Sequence, residues 1–310
     1  MEIFRALAVL VESFTGSEVV RLRKLLGFDR MPLASEHTET FVFQFYPYAS
    51  VYLSTEGMLG GEARDRIAGF WRALGQTPPT EPDHLAIMLA AYARLSSPEN
   101  MNSVVSSSED LNVITGSLLH TGIAKNARRH EAEQSARKAF LWEHLLSWLP
   151  LYLGRVAEVA PPFYRRWAEL LTSALLEEAK ATCPPAALPL HLRAVPYVAD
   201  PRTSTPDEFL QTLLAPARSG LILVRSDLAR AAVSLGAALR AGERKFALKS
   251  LLGQDARGTL AWLADEALRQ ASQHAQHRDT LGAIAEWWSA RAGATEKLLR
   301  ELESEADDLL

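Results

Sequence analysis

The stretch Thr77–Leu95, TPPTEPDHLAIMLAAYARL, indicates which kind of fold to expect. Its second half places apolar side chains at helical spacing, so they form one stripe along an amphipathic helix. Thr80 suits the N-cap position, and Asp83, three residues later, completes a pattern like a capping box. Pro82 fits as well, because proline is tolerated in the first turn of a helix. The stretch therefore predicts a helix that begins near Glu81.

Helix initiation leaves His84 unexplained, because the positive end of a helix dipole is a poor place for a histidine. A metal site here has little support, since Asp83 and His84 are adjacent and point about 100° apart on a helix. HExxH is absent, and the dipeptide order is Asp-His, the reverse of the His-Asp found in helical metal-dependent phosphohydrolases. The dipole should keep the imidazole neutral, so we expect a buried or partner-facing histidine that forms hydrogen bonds.

A helical period of about 3.6 residues recurs along nearly the whole chain and predicts an all-α fold. Residues 28–58 are the aromatic-rich exception, and their alternating Phe41, Phe43 and Phe45 allow at most a short strand. A second helix is expected around Leu141–Tyr152, where Pro150 should bend or end it.

Six of the chain's 16 prolines lie between Thr182 and Pro206. This density forbids a continuous helix and marks a linker. We therefore predict a helical domain over residues 1–181, a proline-rich linker over 182–206, and a further helical region over 207–310. The serine-rich stretch Ser96–Asp110 is expected to be a flexible surface loop.

The composition is that of an ordinary globular protein, with 310 residues, 48% hydrophobic and 23% charged. The net charge of −4 and the pI near 6.1 argue against a generally basic, nucleic-acid-binding surface. No apolar run is long enough to span a bilayer, and the first residues lack a secretion signal. The single cysteine, Cys183, excludes an internal disulfide and is expected to be structural. A cytoplasmic protein without membrane insertion is predicted.

Two aromatic segments carry candidate functional residues. In YPYASVY, Tyr46 and Tyr48 flank a proline, and such rings either line a recognition pocket or fill the core from a loop. In FLWEHLLSWLP, Glu143 and His144 lie among apolar residues and are expected to face solvent. Glu143 is also a candidate partner for a cationic group.

The segment Arg225–Leu252 has a helix–Gly–helix pattern and a local excess of basic residues. It therefore supports two readings, a helix-turn-helix that reads DNA and a basic solvated face that attracts an anionic partner. Sequence motifs of catalytic and phosphate-binding sites, GxSxG, GxGxxG and GxxxxGK[ST], are absent. The sequence thus predicts neither an enzyme nor a bound cofactor.

The order of several motifs resembles the TorD/DmsD/NarJ family of cytoplasmic, all-helical chaperones for molybdopterin oxidoreductases. The motifs are Tyr46-Pro47-Tyr48-Ala49-Ser50, Glu81-Pro82-Asp83-His84-Leu85, FLWEHLLSWLP and PPFYRRWAELL. The resemblance covers residues 1–181 and implies a TorD-like helical bundle. It also implies binding to the catalytic subunit of a molybdopterin oxidoreductase, often through its twin-arginine signal peptide, until the metal cofactor is inserted.

Carried over to this chain, the resemblance places Asp83 and His84 in the partner-binding region, with Tyr46, Tyr48 and Ser50 nearby. A signal peptide offers an apolar stretch and two arginines, so its host needs an aromatic groove with carboxylates at one edge. The candidate carboxylates are Glu81, Asp83 and Glu143.

The chain departs from the family in its length, because the family domain does not account for residues 207–310. We expect this extension to pack beside the chaperone domain and to enlarge the surface for the partner. Two other functions remain open: a transcription regulator that reads DNA through residues 225–252, and a helical metal-dependent hydrolase centred on His84. The sequence is compatible with either a monomer or a homodimer.

Overall fold

A computed structural model describes residues 2–12, 15–95, 131–239 and 242–308. The fold is all-α, as predicted, and these ranges contain no β-strand, only one isolated bridge between Tyr48 and His84. None of the described helices is long and apolar enough to cross a membrane. The predicted loop Ser96–Asp110 lies outside the described residues.

The helices of the first part of the chain, residues 2–181, surround an aromatic core. In chain order they are α1 (Glu2–Glu12), α2 (Ser17–Leu25), α3 (Ala34–His37), π1 (Thr38–Gln44, a π-helix), α4 (Ala49–Leu53), α5 (Gly61–Ala73), α6 (Leu85–Leu95), π2 (Phe140–Leu145, a π-helix), α7 (Leu149–Val159) and α8 (Pro162–Ala181). Residues 131–139 are also helical and continue directly into π2.

The second part is helical too. Its helices are α9 (Leu190–Arg193), α10 (Pro206–Leu213), α11 (Pro216–Ser219), α12 (Arg225–Leu235), α13 (Arg244–Gln254), α14 (Ala256–Ala275), α15 (Arg278–Leu281) and α16 (Ala283–Asp308). Helix α12 ends at Leu235, because Gly236 adopts φ 62° and closes it with a left-handed residue.

Two local expectations are corrected by the structure. The alternating phenylalanines of residues 41–45 lie in π1 and its C-cap, not in a strand, because the described part of the chain offers no strand to pair with them. Pro150 neither bends nor ends a helix. The helix ends with π2 at Leu145, and a new helix, α7, begins at Leu149. Pro150 lies in the first turn of α7, where its missing N–H costs nothing.

The buried apolar side chains form two clusters, and the first includes residues from both parts of the chain. It contains the tryptophans Trp142, Trp148 and Trp167, and it is completed by Trp288 of α16. The Trp288 indole donates a hydrogen bond to the carbonyl of Ser147, 2.9 Å away. The second cluster is built from residues between Phe209 and Leu299. The division into 1–181, 182–206 and 207–310 stays a prediction, but the packing joins its outer parts through α16.

A buried ionic network also connects the two parts. Arg155 of α7 is 1% exposed, and its guanidinium donates to both carboxylate oxygens of Asp227 in α12, each at 2.7 Å. Glu266 of α14 lies 3.7 Å from the same guanidinium. Because each charge has opposite-charge and hydrogen-bond partners, the network can persist away from water.

Candidate functional site

The segments YPYAS and EPDH, which lie about thirty residues apart in the chain, run side by side in the fold. Tyr48 and His84 form an isolated antiparallel bridge, and the amide of Leu85 donates to the carbonyl of Pro47 at 2.8 Å. The two motifs that the resemblance singled out therefore form one structural unit, which leads into α4 on one side and α6 on the other.

Asp83 is the buried centre of this unit, with 1% of its surface exposed. Its carboxylate accepts hydrogen bonds from the Ser50 hydroxyl at 2.6 Å and from the Ser50 amide at 3.3 Å. The Ser50 hydroxyl oxygen in turn accepts one from the amide of Gly60. The capping-box interpretation was therefore wrong: α6 begins at Leu85, and the Asp83 carboxylate binds the first turn of α4 instead of capping α6.

Tyr48, Glu81 and His84 form the accessible side of the unit. The Tyr48 hydroxyl donates to a Glu81 carboxylate oxygen at 3.1 Å, and the Tyr48 and His84 rings meet edge to face with centroids 4.9 Å apart. Partial burial, and then the hydrogen bond to Glu81, raise the pKa of Tyr48. Glu81 is exposed, so its second carboxylate oxygen can accept a hydrogen bond from a bound cation.

His84 is half-buried, and burial lowers the pKa of its imidazole, while the charges of Glu12, Glu81 and Asp83 act in the opposite direction. The expected neutral histidine therefore follows mainly from desolvation, a cause that the helix-dipole argument did not include. Its ring nitrogens form no hydrogen bond with the described residues, so they are available to a partner.

Glu12 is a residue that sequence reasoning missed. It lies at the end of α1 and borders a groove of about 750 Å³ between α1, the end of α5 and α6. The apolar lining of the groove includes Val9, Trp71 and Ile87. Glu12 is exposed and acts on His84 across more than seventy residues of sequence, a proximity for which the sequence carries no signal.

Tyr46 lies on the other side of the same loop and is 42% exposed. It borders a second cleft, of about 360 Å³, between the first part of the chain and α12 and α13. Tyr46 and Tyr48 therefore belong to neighbouring but different surfaces, although they flank the same proline.

Glu143 is not part of the Tyr48–Asp83 unit in the contacts that the structure describes. Its carboxylate accepts a hydrogen bond from the amide of Leu190 at 2.8 Å and so fixes the start of α9. The expectation that His144 faces solvent was wrong, since it is 7% exposed and lies against His191, with 3.3 Å between ring nitrogens. Burial lowers the pKa of His144 to about 4.

The basic segment 225–252 does not present a continuous row of free cations. Arg230 pairs with Asp227, while Lys245 and Lys249 both pair with Asp207. A helix-turn-helix needs its cations free for phosphates and base edges, so this arrangement does not favour DNA reading.

The described residues contain no group of three or more histidine, cysteine, aspartate or glutamate side chains arranged to hold a metal ion. Cys183 is exposed, which does not fit a residue that fills a core.

Comparison with known proteins finds similarity for part of the chain only. Residues 17–153 match the model of the nitrate reductase delta subunit. Two curated relatives, both named chaperone protein TorD and both from Vibrio vulnificus, are 31% (strain YJ016) and 32% (strain CMCP6) identical over 116 residues. Each alignment covers 36% of this chain and 44% of the relative, less than half the length of the proteins it matches.

Proposed function

We propose that this chain belongs to the TorD/DmsD/NarJ family and is a maturation chaperone for a molybdopterin oxidoreductase; the match of residues 17–153 and the similarity to TorD chaperones support this. It acts in the cytoplasm by binding and not by catalysis. The client is the catalytic subunit of that oxidoreductase, held through its twin-arginine signal peptide until the cofactor has been inserted.

The observation that carries this proposal is the acidic edge of the apolar groove between α1 and α6. Val9, Trp71 and Ile87 give the groove an apolar lining that suits the hydrophobic stretch of a signal peptide. Two arginines also line the groove, and each has a partner in the fold: Arg5 pairs with Glu2, and Arg94 donates a hydrogen bond to Gln76. Glu12 stands on the border of the groove, and Glu81 stands on the adjoining loop; both charges act on His84. Arginine binds carboxylates in paired, charge-assisted hydrogen bonds, so these two acids suit the two arginines of the peptide.

The predicted binding residues take different parts in this proposal. Glu81 and His84 contact the client, and Tyr48 orients Glu81 through its hydroxyl. Asp83 and Ser50 position the loop from below, because both are buried and bonded to each other. Tyr46 and Glu143 remain predictions as client contacts, since the described contacts place them outside this edge.

The test compares a synthetic twin-arginine peptide with the same peptide carrying two lysines, using the purified full-length protein and fluorescence anisotropy. We expect Glu12→Gln together with Glu81→Gln to weaken binding of the arginine peptide by about tenfold or more, since two charge-assisted pairs are lost. Glu131→Gln is the matched control, because it removes one exposed carboxylate outside the groove.

Equal affinity of the double variant and the wild type would remove the acidic edge from the proposal. Purification of the tagged protein from its native host, with mass spectrometry of the co-purified proteins, then tests the function itself. Recovery of a molybdopterin-containing subunit supports the chaperone function. If the client is expressed and does not co-purify, the proposed function is wrong.

A further inference from the structure

The cleft beside Tyr46 contains two arginines that lack an acidic partner. Arg225 and Arg244 open the helices α12 and α13, and both line the cleft of about 360 Å³. Among the residues that the structure describes, neither guanidinium lies within 4.0 Å of a carboxylate. Most other arginines along α7 and α12–α16 are paired, including Arg155, Arg230 and Arg269.

The known contacts of the two side chains leave most of their donors unused. Arg244 donates one hydrogen bond, from Nη1 to the carbonyl of Leu223 at 2.6 Å. Arg225 lies over the ring of Phe43, with its guanidinium carbon 5.9 Å from the ring centroid. A guanidinium has five N–H donors in a planar fork, so each arginine can still bind a carboxylate.

The two cations also repel each other. Arg244 is half-buried, and burial lowers the pKa of its guanidinium; Tyr52, Tyr46 and Asp227 oppose this, while the charge of Arg225 acts in the same direction as burial. A pair of like charges that is partly removed from water is stabilised when an anion binds between them. The cleft therefore has an unmet electrostatic requirement that a negatively charged group would satisfy.

The remaining lining favours a peptide over a small molecule. Sites for small molecules enclose most of their ligand, whereas this cleft has exposed apolar side chains at its rim: Phe43 is 47% exposed, Tyr46 42% and Met58 60%. Exposed aromatic and methionine side chains are typical of surfaces that bind polypeptides. The amide of Gln211, also in the lining and exposed, can hydrogen-bond a peptide backbone.

We propose that the cleft formed by Arg225, Arg244 and Tyr46 binds an acidic peptide segment with interspersed apolar residues. This rests on the proposed function in one respect, that the segment belongs to the client. It is a second contact, distinct from the signal peptide, because a peptide with two arginines would be repelled here. The cleft lies between residues 43–58, within the range that matches the family model, and residues 211–245 of the C-terminal region. The proposal therefore gives residues 207–310 a role in binding.

Two glutamates, Glu56 and Glu243, also line the cleft, and both are exposed. They oppose a bound carboxylate, but water screens them more than it screens the half-buried Arg244. Removing one of these glutamates should therefore have the opposite effect to removing an arginine. Glu56→Gln should strengthen the binding of an acidic peptide, whereas loss of either arginine should weaken it.

The experiment measures fluorescence anisotropy of a short labelled peptide that alternates glutamate and leucine, with the full-length protein. A peptide that alternates lysine and leucine is the charge control. We expect Arg225→Gln with Arg244→Gln to weaken binding about tenfold or more. Arg165→Gln, an exposed arginine outside the cleft, should change it by less than about twofold.

The single variant Arg225→Gln keeps the test valid if loss of the Arg244 hydrogen bond destabilises the fold, because Arg225 is exposed and its described contact is the ring of Phe43. Its expected loss is about threefold or more. Thermal unfolding of each variant confirms that the protein is folded. The twin-arginine peptide should bind the Arg225 variant as it binds the wild type, which separates this proposal from the proposed function.

Four results would overturn the proposal. They are unchanged affinity in the arginine variants, equal binding of the lysine peptide, displacement of the peptide by inorganic phosphate alone, and salt-dependent binding of duplex DNA that the same variants abolish. The third result would assign the cleft to a small anion, and the fourth to nucleic acid.

Discussion

Two buried aspartates, Asp83 and Asp227, solve the same problem in different ways. Asp83 is held by neutral donors, the hydroxyl and amide of Ser50, close to the surface. Asp227 is held by the guanidinium of Arg155 deep between three helices. The first arrangement shapes a loop and the second joins two parts of the chain. In this protein, the buried carboxylate with neutral partners shapes a surface loop, and the buried carboxylate with a cationic partner joins two parts of the chain.

Removing Arg155 should have the largest effect, because it leaves the buried Asp227 with only the exposed Arg230 as a cationic partner. We expect Arg155→Met to lower the free energy of unfolding by about 3–5 kcal/mol, measured by urea denaturation. Combining Arg155→Met with Asp227→Leu should restore part of that loss, since a buried ion pair can be replaced by apolar side chains. A loss below about 1 kcal/mol in the single variant would show that water reaches the network.

Removing Asp83 should cost less, because its partners are neutral and the Ser50 amide lies near the surface loop. We expect Asp83→Ala to lower the free energy of unfolding by about 1–3 kcal/mol and to weaken twin-arginine peptide binding through the displaced loop. Glu81→Gln is the control, since this exposed residue should change stability by less than about 0.5 kcal/mol. The distinction between the two acids fails if both variants are equally stable.

Acid should reveal a smaller difference through two histidines: His274, on which the charge of Arg155 acts, and His84, on which the charge of Asp83 acts. Burial lowers the pKa of His274 to about 4, with Arg155, His277 and Arg269 adding to the effect and a hydrogen bond to the Gly220 carbonyl opposing it. The unfolded histidine titrates near 6.5, so below that pH the unfolded state binds more protons and the protein loses stability as the pH falls towards 4.

The measurement compares unfolding free energies at about pH 7.5 and pH 5.5, where one such histidine accounts for a loss of about 1 kcal/mol. His274→Gln should remove that part of the loss. His84→Gln should remove less, because carboxylates near His84 oppose the lowering of its pKa. If the His274→Gln and His84→Gln variants lose stability equally between about pH 7.5 and pH 5.5, the two histidines do not differ in their environments as described.

The sequence predicted features that depend on neighbouring residues, such as the all-α fold and a helix near Glu81, which the structure begins four residues later at Leu85. It misassigned Asp83, because a local capping pattern and a bond to a residue 33 positions away look alike in one sequence. It gave no sign of the Arg155–Asp227 pair, whose partners are 72 positions apart. It also placed His144 in solvent, because helical periodicity does not predict that His191 packs over that face. The family resemblance, and not helical periodicity, predicted that Tyr48 lies near His84.

The position of Trp288 in the first core has a consequence for how the protein is made. A ribosome adds roughly 5–20 residues per second, so Trp288 is synthesised several seconds or more after residue 181. During that delay Ser147 has no indole to bind, and the core lacks one of its large side chains. The nascent chain therefore completes its first core only after Trp288 has been synthesised, long after the other tryptophans of that core.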